Sequence, residues 1–131
     1  MPLVLALSTA LSGCARQGAP EQVADAFVEA YFRHADQETA KEYTALGATE
    51  MLDQELREVA PLRKDGYTPA EAGGGEVEVH RGEPAKRDER IRFPYEIKLK
   101  NGGATALRDA DVELANIRGT WKVVRVGIKP R

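Results

Sequence analysis

Cysteine is nearly absent from this 131-residue chain: Cys14 is the only one. That excludes an intrachain disulfide and any cysteine-based metal cluster. Histidine is almost as scarce. His34 and His80 stand apart with no second ligand beside either, so the spacing of a zinc site is missing. The only serines, Ser8 and Ser12, precede Cys14, and no Gly-x-Ser-x-Gly elbow exists to hold a nucleophile. Gly73-Gly74-Gly75 is not followed by Lys-Ser or Lys-Thr, which removes a phosphate-cradling loop. No apolar run approaches the roughly 20 residues that span a bilayer. A net charge of −2 offers no global attraction to nucleic acid.

What the chain does have begins at its start. No charge occurs from Met1 to Gly13, and Leu3, Val4, Leu5, Ala6, Leu7 and Ala10 make a short apolar run. Leu11-Ser12-Gly13-Cys14 closes it with small residues and the single cysteine. This pattern resembles the lipobox of a bacterial lipoprotein signal peptide. It departs from the pattern at Met1-Pro2, where a leader normally carries Lys or Arg. The resemblance implies that residues 1–13 are a cleaved signal peptide and that Cys14 becomes the lipidated N-terminus. It further implies a palmitate-type acyl anchor in the bacterial cell envelope. Ala15 is not the aspartate that usually retains lipoproteins in an inner membrane, so the expected site is the periplasmic side of the outer membrane, if the cell has one. Residues 14–19 are then a lipidated tether and 20–131 a single domain.

Within that domain charge is uneven. Residues 21–60 hold ten acidic and three basic side chains, whereas 61–131 hold fifteen basic and eleven acidic. Solvated helix faces that are acidic and a solvated sheet face that is basic account for this pattern. A basic sheet face also suits anionic lipid or cell-wall polymer.

Pro20 suits a first helical turn, and Val23, Phe27 and Tyr31 recur at i, i+4, i+8 with Ala24, Val28 and Ala35 beside them. This spacing predicts one amphipathic helix over 20–35. Asp36 reads as the N-cap of a second helix that carries Ala40, Tyr43 and Leu46 inward and stops at Gly47. Thr49 reads as the cap of a third, with Met51, Leu52, Leu56 and Val59 on one face and Pro61 at its end. Residues 61–75 read as a loop.

The period then becomes alternating. Glu76–His80 is a short strand. Ile91, Phe93, Tyr95, Ile97 and Leu99 point one way along the next, opposite Arg90, Arg92, Glu96, Lys98 and Lys100. Pro94 within it argues for an edge or a bulge. Asn101-Gly102 marks a turn. Taking Leu107 as inward, the return strand changes parity before Val112 and Leu114, which demands a bulge near Asp109-Ala110-Asp111. Arg118-Gly119 turns again into a last strand over Trp121–Ile128.

Helices followed by antiparallel hairpins predict an α+β domain with helices packed on one face of a curved, mainly antiparallel sheet. The order of elements resembles the cone-shaped nuclear transport factor 2-like (NTF2-like) superfamily. The N-terminal helix with Phe27 and Tyr31, two short helices, and the closing Gly119-Thr120-Trp121-Lys122-Val123 hairpin carry that resemblance. The superfamily includes isomerases, cyclases, protein-binding scaffolds and small exported lipoproteins, so it does not select a function.

Phe27, Tyr31, Phe93, Tyr95 and Trp121 are candidates to line a pocket, although aromatics at this spacing more often build core. Asp109 and Asp111, with Tyr31, Tyr43 and Tyr95 as donors, are the only footing for acid–base chemistry. No motif ties them to a catalytic role. The sequence is best read as a lipid-anchored, extracytoplasmic binding or scaffold domain, non-enzymatic, without cofactor or metal. Its expected partners are the membrane through lipid on Cys14 and an envelope protein or small apolar ligand, and not nucleic acid. The alternatives are an isomerase- or cyclase-like enzyme with a carboxylate in the cone, and a structural component of an envelope assembly.

Overall fold

The computed structural model describes residues 18–63 and 76–131. The leader, Cys14 and most of the loop predicted over 61–75 lie outside the described residues. Helix α1 spans Pro20–Val28, with Pro20 in the first turn, where its missing N–H is not needed. Gln22 turns back to accept the Ala19 N–H at 3.0 Å. Val23, Ala24, Phe27 and Val28 form its buried stripe.

The helix does not run evenly to residue 35. From Glu29 to Arg33 it widens into a π-helical turn, and Ala35 ends it at φ +51. Tyr31 and Phe32, neighbours in sequence, both lean on the core from this wider turn. Helix α2 spans Gln37–Lys41. Its cap is as expected: Asp36 accepts the Thr39 N–H at 3.1 Å and the Thr39 hydroxyl at 2.7 Å.

The second helix is shorter than predicted. After Lys41 the chain runs beside the last strand, where Val123 N–H donates to Tyr43 O at 2.8 Å and Ala45 N–H donates to Val123 O at 2.9 Å. Helix α3, Leu46–Val59, opens immediately afterward, at a Leu46 with φ +57. Leu46 is therefore not inward but 62% exposed. Thr49, predicted as a cap, already lies inside α3, and its hydroxyl meets that of buried Thr44 at 2.7 Å. Ala48 and Leu52 supply the buried face of α3. A 3₁₀ turn, Ala60–Leu62, follows.

Among the described residues five strands form one antiparallel sheet: β1 (Glu76–Arg81), β2 (Ala85–Arg87), β3 (Arg90–Asn101), β4 (Ala104–Ile117) and β5 (Thr120–Pro130). The sheet is curved and unclosed. Its order is β1-β3-β4-β5, with β2 on the same side of β3 as β1. The predicted alternation of β3 is present: Ile91, Phe93, Tyr95 and Ile97 are buried. They meet Ala110, Val112 and Leu114 of β4, Val123 of β5 and the apolar faces of the helices in one core. The α+β architecture is thus as expected, with helices on the inner face of the sheet.

Two strand details differ from expectation. Pro94 is not at an edge; beside it three residues, 82–84, oppose two, 93–94, so the register on that side shifts by one. Pro94 sits inside the interior strand β3, at the break where β1 has ended and β2 has not begun. Its carbonyl accepts the Gly82 N–H at 2.7 Å, so its missing N–H faces the same break and no ladder bond is lost.

The predicted bulge at Asp109-Ala110-Asp111 is absent. The β3–β4 register runs without interruption from Arg90↔Ala115 to Asn101↔Ala104. Leu107 lies on the outer face opposite Lys98, so no parity change is needed. The irregularity lies one strand further on. Glu113 pairs with Arg125 but Leu114 with Val123, leaving Val124 as the extra residue of β5.

Both long hairpins turn in two residues. Gly102 and Gly103 (φ +58 and +91), and Arg118 and Gly119 (φ +55 and +87), have the paired positive φ of type I′ turns.

Candidate functional site

α1 and β3 bring polar groups together that no sequence motif announced. Asp25 leaves the flank of α1 one residue from the buried stripe. Its Oδ1 accepts the Tyr95 hydroxyl at 2.6 Å, and its Oδ2 is paired with Arg81 Nη1. Arg81 ends β1 opposite Tyr95, and its guanidinium lies 5.7 Å from the Phe93 ring centroid. Burial first, then the hydrogen bond and charge of Asp25, holds the Tyr95 hydroxyl far above the usual phenol range. Asp25, chiefly through its hydrogen bond, strengthens the hold of Arg81 on its proton. The group borders a shallow cleft of about 430 Å³ shared with Glu29, Arg33, Val79 and His80.

A second group lies on the helical side. Tyr31 donates to Glu55 Oε2 at 2.6 Å, and Gln37 reaches Glu55 Oε1 at 3.5 Å. Burial, followed by Glu55, pushes the Tyr31 hydroxyl well above its ordinary range. The Tyr31 ring stacks on Phe27 with centroids 5.5 Å apart and meets Phe32 edge-on at 4.9 Å.

Both tyrosines are fixed donors to carboxylates and are poorly suited to release a proton near neutrality. Both oxygens of Asp25 are engaged, so it does not stand open as a base. This chemistry suits holding and orienting better than proton transfer.

The sequence-selected residues fall in several places. Phe27, Phe93 and Tyr95 are buried core, while Tyr31 and Trp121 pack against it half-buried. Tyr43 is spent on the bridge to β5 through its backbone. Asp109 is exposed on the outer sheet face, paired with Arg131 at 3.3 Å, and Asp111 shares that face. Neither points toward the helices. His34 is exposed beside Glu29, and His80 lies on the outer side of β1. Among the described residues no group of three His, Cys, Asp or Glu side chains is placed to hold a metal. Cys14 lies outside the described residues. Sequence reasoning missed Asp25, Glu55 and Arg81, because their partners are 24 to 70 residues distant and only the fold joins them.

No family model matches the sequence, and no curated protein matches it. Solved structures do. A designed NTF2 protein superimposes with a TM-score of 0.57 at 10% identity, covering 83% of this chain and 95% of that one. An NTF-2 like protein of unknown function from Shewanella oneidensis MR-1 gives 0.55 at 15% identity, covering 82% and 93%. Bdellovibrio bacteriovorus Bd1075 gives 0.54 at 10% identity, covering 95% of this chain and 44% of that protein. This chain thus spans less than half the length of Bd1075. At such identities the likeness is one of fold, and on that ground the chain has the NTF2-like α+β fold.

Proposed function

We propose that the protein is a non-catalytic binding domain, held at a bacterial envelope membrane by lipid on Cys14. The observation that carries the non-catalytic reading is the state of the interior. Phe27, Leu52, Phe93 and Ile97 are all at most 1% exposed, so the inner side of the sheet is filled with side chains at the point where a catalytic cone needs space. The carboxylates that border this core, Asp25 and Glu55, are bonded to tyrosine hydroxyls. The uncharged opening run and Leu11-Ser12-Gly13-Cys14 support the anchor.

Metabolic labelling with palmitate tests it. The wild-type chain takes up label and stays with membranes washed in about 1 M salt, where charge contacts are screened within about 3 Å. Cys14→Ser abolishes the label and releases the protein. A Cys14→Ser chain that still labels, or still resists the salt wash, overturns the anchor.

A further inference from the structure

Cations gather at one end of the outer face of the sheet, and the strand register shows how. One row across it reads Arg87, Arg90, Ala115, Lys122, and the next reads Ala85, Arg92, Glu113, Arg125. Strands lie about 4.8 Å apart, so Arg87 and Arg90 stand side by side, while Ala115 separates Arg90 from Lys122 and Glu113 separates Arg92 from Arg125. The Ala85 and Ala115 side chains leave low ground between them. Arg87 and Arg90 of the first row and all of the second, with Lys86 and the Asp88-Glu89 turn, border a cleft of about 650 Å³. Five cations border it beside three carboxylates, and Glu113 is already taken by Arg90 at 2.6 Å. Among the described residues the other cations form no ion pair; Lys122 donates to the Glu42 carbonyl at 3.0 Å. Further along the face the signs mix: Glu96, Asp109 and Asp111 lie among Lys98 and Lys129, and Glu96 and Asp109 are paired with Arg131.

The chain enters the domain at this same basic end. Asp25 is level with Tyr95, whereas Arg33, later in the same helical run, borders Val77 and Val79, which pair with Leu99 and Ile97. The helix therefore runs from the Ile91 end of β3 toward the Leu99 end. At 1.5 Å per residue, Pro20 lies about 7 Å from Asp25 along the helix axis, which also crosses the sheet from β5 toward β1. From Pro20 back to Cys14 the chain reaches at most about 20 Å.

We propose that the basic end of the outer sheet face binds the phosphate headgroups of an anionic membrane, as a second contact beside the acyl anchor. The choice of a membrane as occupant rests on the proposed lipidation of Cys14. The charge complement and the short tether favour it, since a negative surface acts only within about a Debye length. Two contacts, one at the tether and one on the sheet, fix the orientation of the domain on the bilayer.

Vesicle co-sedimentation of the full chain carrying Cys14→Ser tests this without acyl chains. Vesicles of phosphatidylcholine alone are compared with vesicles containing one-third phosphatidylglycerol. Binding is expected only to the anionic vesicles and falls steeply with added salt. Arg92→Gln with Arg125→Gln weakens it about 25-fold, from about fivefold per cation near the surface. Lys98→Gln with Lys129→Gln, further along the same face, changes it less than about twofold. Equal binding to neutral vesicles, or undiminished binding by the double arginine variant, overturns the proposal. So does binding of soluble polyphosphate with none to anionic vesicles, which assigns the patch to a soluble polyanion. Palmitate labelling reads the anchor separately, so failure of one reading is distinguishable from failure of the other.

Discussion

Replacing Phe27 with alanine tests the packing on which the non-catalytic reading depends. Phe27 is 0% exposed, stacks on Tyr31, and belongs to the cluster where α1 meets β3, β4 and β5. Removing the ring loses its transfer free energy and leaves a cavity that neighbours fill only in part, about 3–5 kcal/mol. That is a large share of the stability of a domain this size, about 5–15 kcal/mol. With a urea slope of about 1.5 kcal/mol/M, the midpoint falls by about 2–3 M. The assay is urea unfolding of the full chain carrying Cys14→Ser, followed by Trp121 fluorescence. Arg92→Ala, on the exposed outer face, is the reference and stays within about 0.5 kcal/mol. A loss below about 1 kcal/mol for Phe27→Ala would refute a filled interior and reopen the reading of an aromatic-lined cavity.

Other expectations follow from single contacts. Trp121 packs only half-buried, so Trp121→Ala costs less than Phe27→Ala when both are melted in urea and followed by far-UV circular dichroism. Asp36→Ala costs about 1 kcal/mol at neutral pH through loss of the α2 cap. The Asp36 carboxyl is held below its ordinary pKa chiefly by the Thr39 hydroxyl. Its contribution is therefore complete above the unfolded value of about 3.9 and disappears as pH falls through the lower folded value. A mutant deficit that persists in still stronger acid contradicts the assignment. Gly119→Ala costs about 1–2 kcal/mol in thermal or urea melts, although nothing lies within 4 Å of the added Cβ, because φ is +87 there. No loss means that the turn can relax without strain.

The sequence made the fold legible where burial is one-sided. The odd residues of β3 face one core and its even residues face water, so period 2 was plain. The stripe of α1 was equally plain because Val23, Phe27 and Val28 meet the same sheet. Leu107 misled because an apolar residue was assumed to point inward. It lies on the outer face, and that single assumption moved the bulge from β5 to β4. Val123-Val124, two adjacent buried residues, was the signal for the true position. Leu46 misled in the same way, since the backbone bridge of Tyr43–Ala45 to Val123, invisible to periodicity, decides where α3 starts. β2 was unreadable because its three residues are all exposed and carry no apolar pattern. Asp25, Tyr95 and Arg81 each looked ordinary, and only the packing of α1 on β3 makes them a group.

The break at Pro94 also divides the sheet in time. β1 is tied to β3 over six residue pairs and contributes Val77 and Val79 to the edge of the core. β2 is tied by three pairs, buries nothing, and is separated from β1 by a residue that cannot donate. The β2 hairpin can therefore open without disturbing β1 or the core, at a free energy well below that of global unfolding. In native-state hydrogen exchange its amides trade with solvent through this local opening, while the Ile97 amide exchanges only when the whole domain unfolds. The half of the sheet edge that carries Lys86 and Arg87 is thus its most easily released part.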